Sequence, residues 1–428
     1  MDTIQIGLLG MGTVGTGVLK LLRQNQSSIE QKTGVPVAIK TVLVRDPAKA
    51  RQFTGAALTT DVAAILDDPA IQIVVEVMGG EQPALEYMLR AMNRGKHVVT
   101  ANKDVVAKYG RELFAAAQEN GVNFLFEASV AGGIPIIRPL KQCLAANRIH
   151  EVMGIVNGTT NYMLTKMVRD KSDFATVLAE AQAMGYAEAN PAADVGGLDA
   201  ARKIAILASI AFNSRVTFDD VYVEGITAID SQDIEYAGEL GYCIKLLAIA
   251  KDTAHGIDVR VHPAFLPLTH PLAAVHDVFN AIFVRGDAVG DAMFYGRGAG
   301  EMPTASAIMA DVIDTARDIR HHAAGRVLCT CYDQVPICPL QYTEAPYYVR
   351  LLVEDRPGAL AAIAGAFGAQ QVSLHSVIQK RKVEDCAELV LITSRVPDAG
   401  LRLAVNTLRG MSVVREVENV IRVEAAIE

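Results

Sequence analysis

The stretch IQIGLLGMGTVG, residues 4–15, decides the first third of the fold. It opens on a short apolar run of strand length. Gly10, Gly12 and Gly15 then form a G-x-G-x-x-G, and a helical pattern follows at once. Three glycines alone carry little information. Between a strand and a helix they are the dinucleotide-binding fingerprint. Gly10 permits the tight turn, Gly12 lets the backbone approach a pyrophosphate, and Gly15 lets helix and strand pack closely. Met11, Thr13 and Val14 complete the loop, whose N–H groups face an anion at the helix N-terminus. No GK[ST] follows, which excludes a P-loop.

Downstream the pattern repeats. VAIKTVLV (37–44), IQIVVEVM (71–78), HVVT (97–100) and NFLFEAS (123–129) read as buried strands. Helical stretches near 61–67, 83–93 and 104–119 separate the later ones. Strands interleaved with helices predict a parallel, doubly wound α/β sheet of the Rossmann type over 1–132. The second strand ends VLVRDPAKAR, where Arg45 is placed to meet a ribose 2′-phosphate and Asp46 follows it. That favours NADP, with NAD use left open. Thr100-Ala101-Asn102-Lys103 follows HVVT and falls at the carboxyl end of the sheet, where ligands bind in this architecture.

From 133 to 320 the pattern becomes α+β. Helices are expected at 133–146, 160–169, 173–184, 199–211 and 303–320, with a strand at 150–157 and a meander of 258–267, 279–286 and 291–298. Residues 321–346 lack periodicity, contain three prolines, and read as a linker. After it, YYVRLLVED, RPGALAAIAGAFGAQ, VSLHSVIQK, CAELVLITS, PDAGLRLAVNTLRG and VVREVENVIRVEA give βαββαβ over 347–428, a ferredoxin-like order.

Composition narrows the function. The 428 residues are 51% apolar and 21% charged with a net charge of −8, and show no basic stripe, so a nucleic-acid surface is not expected. No apolar run reaches about 18 residues and no basic leader precedes the first strand. The expectation is a cytoplasmic protein without membrane partners. Six scattered cysteines do not make a disulfide framework. Cys329-Thr330-Cys331 with Cys338 hints at metal, but no C-x-x-C or histidine spacing supports it.

The most acidic stretch is GYAEANPAADVGGLDAARK, residues 185–203. Asp199 and Lys203 stand four apart at the head of an apolar helix and share one face. They are either a surface pair or a reaction centre. Glu188, Asp194 and Asp199 offer three carboxylates within twelve residues, suited to an ammonium group. Lys203 and Lys103 are the two candidate proton carriers. Asn157, Thr159 and Thr160 either bind substrate or cap a helix, and Arg202 reads as packing or surface.

With these motifs in order, the chain resembles the bacterial homoserine dehydrogenases that carry a C-terminal ACT domain. The likeness rests on GLLGMGTVG (7–15), TANK (100–103), EASVAGGIPII (127–137), GIVNGTTNYML (154–164), GYAEANPAADVGGLDAARK and GRGAGEMPTASA (296–307), and covers essentially the whole length. It implies an NAD(P)-dependent oxidoreductase of threonine and methionine biosynthesis, interconverting L-homoserine and L-aspartate 4-semialdehyde. By resemblance Lys203 is catalytic, Lys103 lies at the cofactor and substrate junction, and Glu188, Asp194 and Asp199 serve the substrate. Thr100, Gly185 and Gly300 join the glycine loop and Arg45 in holding cofactor. Glu127, Val130, Gly132 and Ile134 match a monovalent-cation site for sodium, built largely of backbone carbonyls. Asp355, Gly358, Ala359 and Leu360 match an effector loop, implying feedback by threonine that deletion of 347–428 removes. A homodimer or homotetramer is expected. One departure stands out: Asn190 occupies a position where the family commonly has an acid. A related amino-acid dehydrogenase and a catalytically silent amino-acid sensor are the competing readings.

Overall fold

The computed structural model describes residues 3–48, 55–327 and 329–424. The chain forms two compact units, each assembled from separate segments. The first gathers residues 1–152, 202–220 and 279–334; the second gathers 153–201, 221–278 and 335–428.

The first unit holds a six-stranded parallel sheet. Its spatial order runs from Ala57–Thr59 through Val37–Leu43, Ile4–Leu9, Ile71–Glu76 and His97–Thr100 to Phe124–Leu125. Numbered along the chain this is 3-2-1-4-5-6, the doubly wound order expected. The reversal beside Ile4–Leu9 makes the crevice into which the glycine loop opens. Two expectations change in detail. Ala57–Thr59 is a strand too short to register as a periodic run. NFLFEAS pairs only over Phe124–Leu125, then turns into a 3-10 turn at Glu127–Ser129.

The late helix Glu301–His321 packs on this sheet's helix Thr13–Gln24. Ala305, Ile308, Met309, Val312 and Ala316 share one apolar core with Ile4, Ile6, Leu8 and Val18. Lys20 pairs with Glu301 at 2.6 Å. The segment GRGAGEMPTASA is thereby carried to the glycine loop from almost 300 residues away. The helix expected over 133–146 shrinks to a π-helical turn at Pro139–Cys143. Gly132, Gly133, Pro135 and Pro139 account for this, since glycine and proline both oppose a regular helix start to finish. The hairpin Phe279–Gly286 and Gly290–Arg297 forms as anticipated.

In the second unit Tyr242–Thr253 and Gly256–Pro267 form a twelve-pair antiparallel ladder. The first of these strands and the helix Ser231–Glu239 were not anticipated. KLLAIAK has no alternation because its centre is buried throughout, and such a run reads equally as helix. The expected meander is therefore corrected: 258–267 has 242–253 as its antiparallel neighbour.

The C-terminal module has the expected βαββαβ order, with strands arranged as Val414–Val423, Tyr347–Glu354, Cys386–Thr393 and Leu374–Val383. Helices Ala359–Ala369 and Asp398–Arg409 cover one face through Ile363, Phe367, Leu401 and Leu408. Its edge strand is not left bare. Val414–Val423 pairs in parallel with Gly256–Pro267, Ala264 against Arg422 and Phe265 against Val423. Beneath this seam Arg350 is buried among Asp233 (2.9 Å), Asp230 (2.5 Å) and Glu388 (3.2 Å), while Tyr348 donates to Asp233. The strand Tyr347–Glu354 is thus tied to the helix Ser231–Glu239 by charge-assisted bonds in the interior.

Candidate active site

The glycine loop has the geometry that its sequence requires. Gly10 is left-handed at φ 104°, and a Cβ on Gly15 would stand 2.3 Å from the Gly10 carbonyl oxygen. Helix and turn can approach this closely only with glycine at both places. A Cβ on Gly12 would meet nothing within 4 Å, so the loop is open on the side from which a pyrophosphate would come. Met11 is buried beneath it in the core. These residues fit a dinucleotide. Arg45 lies exposed two residues past Val37–Leu43, and Asp46 turns its carboxylate back to the Ala48 N–H at 2.9 Å.

Across the crevice, the buried Thr100 hydroxyl donates to Glu76 Oε2 at 2.6 Å, and Glu76 Oε1 accepts from Met78 N at 2.7 Å. Burial raises the Glu76 carboxyl, opposed by these hydrogen bonds. Thr100 therefore shapes the turn after the strand, with its hydroxyl committed to Glu76. Asn102 caps the next helix through Val105 N and donates to the Gly80 carbonyl at 2.7 Å. Lys103 is the first residue of that helix, Lys103–Glu119, and is half-buried.

Lys203 lies in the first turns of Leu198–Ala211 and is also half-buried. Arg202 Nε binds Asp104 Oδ1 at 2.7 Å, and its guanidinium stacks over Phe218 at 4.9 Å. Arg202 and Asp104 are the chain neighbours of Lys203 and Lys103. The ion pair sets the starts of the two lysine-bearing helices side by side. Arg202 thus ties these two helices together, a contact that the sequence did not reveal.

The acids are organised by Asn157. Its Oδ1 accepts from Thr160 N at 2.9 Å, capping the helix Gly158–Asp170. Its Nδ2 donates to Asp194 Oδ1 at 2.7 Å and Asp199 Oδ2 at 2.9 Å. One buried amide therefore caps a helix and draws two carboxylates together. Asp199 is buried on Leu198–Ala211, one turn before Lys203. Glu188 stands apart from this clamp: it is exposed, and its main-chain carbonyl accepts from Gln182 Nε2 at 3.1 Å. Gly185 is exposed and left-handed at φ 74°, after the helix Phe174–Ala183. The Asn190 Oδ1 accepts from Ala192 N at 3.2 Å.

Three family models match in register with these features. Homoserine dehydrogenase matches residues 135–313, its NAD-binding domain matches 10–127, and the ACT domain matches 347–411. The homoserine dehydrogenase of Bacillus subtilis is 44% identical over 99% of both chains. That of Synechocystis is 46% identical, covering 98% of this chain and 99% of its own.

The chain belongs to the homoserine dehydrogenase family.

It is an oxidoreductase acting on a CH–OH group. Among solved structures, the homoserine dehydrogenase of Thiobacillus denitrificans superposes with a TM-score of 0.95 at 42% identity, covering 99% of this chain and 98% of that one. A hyperthermophilic archaeal homoserine dehydrogenase, solved with NADPH, superposes at 0.64 with 25% identity over 73% of this chain. Full-length likeness to homoserine dehydrogenases removes the related amino-acid dehydrogenase and the silent sensor as competitors.

The remaining expected sites have distinct geometries. Glu127 is buried, and its carboxylate accepts from Ile136 N (2.6 Å), Ile137 N (2.8 Å) and Arg138 N (2.8 Å). The side chain thus serves the turn before Pro139. Ala131 and Gly132 are both left-handed, and a Cβ on Gly132 would lie 2.4 Å from the Gly298 carbonyl. What Glu127, Val130, Gly132 and Ile134 can offer a cation is main-chain carbonyl oxygen, a donor that fits a hard monovalent ion. Gly300 caps Glu301–His321 with φ 124°. In the ACT module Gly358 caps Ala359–Ala369, Leu360 is exposed, Ala359 is buried, and Asp355 pairs with Lys382 at 3.0 Å.

Among the described residues no helix is long and apolar enough to cross a membrane, and no cluster of three or more His, Cys, Asp or Glu could hold a metal ion.

Proposed function

We propose that the enzyme interconverts L-homoserine and L-aspartate 4-semialdehyde with NADP, using Lys203 as the acid and base at the reacting oxygen. The observation that carries this is the clamp of Asn157 on Asp199, one turn before Lys203 on the same helix. Four residues of helix span about 6 Å. In an extended homoserine the ammonium nitrogen and the hydroxyl oxygen stand about 5 Å apart by ordinary bond lengths. Asp199, with Asp194, binds the ammonium end, and Lys203 meets the oxygen.

The nicotinamide exchanges the hydride with the substrate carbon. In aldehyde reduction Lys203 donates a proton to the oxygen as negative charge develops there; in homoserine oxidation the neutral amine takes the proton back. Asn157 keeps the two acids close and aims them, a cost in like-charge repulsion that the ammonium then offsets. Lys103, tied alongside by Asp104 and Arg202, serves the cofactor and substrate junction, with Glu188 as a peripheral acid. Thr100, Gly185 and Gly300 complete the cofactor contacts.

Arg45 supports NADP over NAD, since a guanidinium pairs with a phosphate in bidentate fashion. The carbonyls of Glu127, Val130, Gly132 and Ile134 hold sodium. The ACT module binds threonine at Asp355, Gly358, Ala359 and Leu360. The enzyme works in the cytoplasm as a homodimer or homotetramer. Homoserine-dependent NADP reduction by purified, sodium-supplied protein tests the reading as a whole. Absence of turnover overturns it.

A further inference from the structure

Cys329 and Cys331 take no part in the site described above, yet they do not sit at random. They line a pocket of the first unit with Thr330, Lys141, Arg215 and Ser209. Its walls come from the two helices that carry Lys103 and Lys203, through Ala107 and Gly110 of one and Ile206 and Ile210 of the other. Arg215 Nη2 reaches Cys329 Sγ at 3.8 Å. The Lys141 ammonium lies in the same pocket, 4.9 Å from the centre of the Phe114 ring. Cys331 Sγ stands 3.7 Å from the Ser209 carbonyl. Both cysteines are reduced and half-buried.

We propose that Cys329 and Cys331 form a modification site for small hydroperoxides, with Cys329 as the attacking sulfur and Cys331 as the resolving one.

Charge and geometry assign the roles. A thiolate, not a thiol, attacks peroxide. The thiol of Cys331, hydrogen-bonding to Cys329, holds the Cys329 thiol well below its usual range, with Arg215 and Lys141 adding to this against desolvation. Cys331 moves the opposite way, because that same hydrogen bond and burial keep it protonated. Two residues apart, their Cα atoms are separated by at most about 7 Å, at the upper edge of the disulfide range. The hydrogen bond from Tyr332 N to the Thr330 carbonyl, at 3.0 Å, bends the chain at Cys331.

The chemistry balances without an outside reductant. The Cys329 thiolate attacks one oxygen of hydrogen peroxide; the O–O bond breaks, a sulfenic acid forms, and hydroxide leaves. Sulfur loses two electrons and peroxide gains them. Cys331 then attacks the sulfenic sulfur, an S–S bond forms, and the oxygen departs as water with the thiol proton. The cavity volume of about 20 Å³ has room for roughly one water-sized molecule. That selects hydrogen peroxide over a bulky disulfide such as oxidised glutathione.

The test treats the intact enzyme with one equivalent of hydrogen peroxide, followed by peptide mass spectrometry under non-reducing conditions. The expected product is an intrachain Cys329–Cys331 disulfide, two hydrogens lighter, formed at least tenfold faster than oxidation of the exposed Cys143. In Cys331→Ser the sulfenic acid on Cys329 persists and is trapped by dimedone. In Cys329→Ser, Cys331 reacts no faster than Cys143. Oxidation of Cys329 at the rate of Cys143 overturns the proposal.

Discussion

Asn157 donates its side-chain amide to Asp199, Nδ2 to Oδ2 at 2.9 Å, while the same nitrogen holds Asp194 at 2.7 Å. The amide oxygen meanwhile caps a helix. Cap and clamp can be separated by one substitution. Asn157→Asp keeps an oxygen for Thr160 N, since Asp and Asn cap about equally well. It loses the donor and adds a third negative charge to the clamp. We expect the variant to keep the helix cap, with the KM for homoserine raised at least tenfold. Steady-state kinetics beside thermal melts check this. An unchanged KM shows that the clamp does not serve substrate.

Arg45 stands exposed where the second strand ends. If it reads a 2′-phosphate, Arg45→Ala raises the KM for NADPH by about tenfold, corresponding to about 1.4 kcal/mol, and leaves that for NADH unchanged. Equal effects on both cofactors show that Arg45 is a solvated loop charge.

His97 accepts a hydrogen bond at Nδ1 from Asn123 N, 3.0 Å away, and burial depresses its pKa to about 4. Above the ordinary histidine value of about 6.5 the ring is neutral in both folded and unfolded chains. Between there and about 4 the unfolded chain binds a proton that the folded chain refuses. Stability therefore falls as pH drops through that window, by at most about 1.4 kcal/mol per pH unit from this group. His97→Gln retains an acceptor and cannot charge. Chemical denaturation from pH 7.5 to 4.5 is expected to show a flatter profile in the variant; parallel profiles show that His97 contributes nothing.

The effector loop calls for a point substitution, since truncation is a blunt tool here. Removing 347–428 strips Val414–Val423 from Gly256–Pro267 and leaves Asp233 without Arg350. Breaking a buried pair of that kind costs about 3–5 kcal/mol, so loss of regulation after deletion is confounded with loss of fold. Gly358 caps Ala359–Ala369 at φ 87°, and a Cβ there meets no neighbour within 4 Å. Gly358→Glu strains the cap and brings negative charge to the place where a carboxylate would bind. The expected outcome is at least tenfold weaker inhibition by threonine with uninhibited kcat within twofold of the parent. Inhibition of the parent that persists undiminished in the variant places the effector elsewhere.

The sequence is most legible where local chemistry and global fold agree. Gly10, Gly12 and Gly15 have one structural use between a strand and a helix, and they have it here. The ACT helices are bounded by Gly358 and Pro397 and separate short apolar strand runs, so the order of elements could be read directly. Tyr242–Thr253 was hidden because a strand buried on both faces carries no period of two. Pro139 and the Gly132-Gly133 pair dissolved a helix that hydrophobic spacing alone had promised. In the site, motif residues could be named individually, but their geometry joins distant parts of the chain. Asn157 showed itself as one polar residue after a strand, with cap and ligand roles equally open, and it fills the cap role while clamping two acids more than thirty residues away. Nothing local marks Arg202 as the partner of Asp104, because that pairing depends on how two helices pack.

The central claim is that Lys203 moves the proton. Its most direct test is the rate of homoserine-dependent NADP reduction by Lys203→Ala, with NADPH binding and the melting temperature measured on the same preparation. Loss of a positioned acid and base predicts a kcat lower by about 10²–10⁴-fold with cofactor binding retained. A kcat within tenfold of the parent contradicts the assignment and passes the role to Lys103.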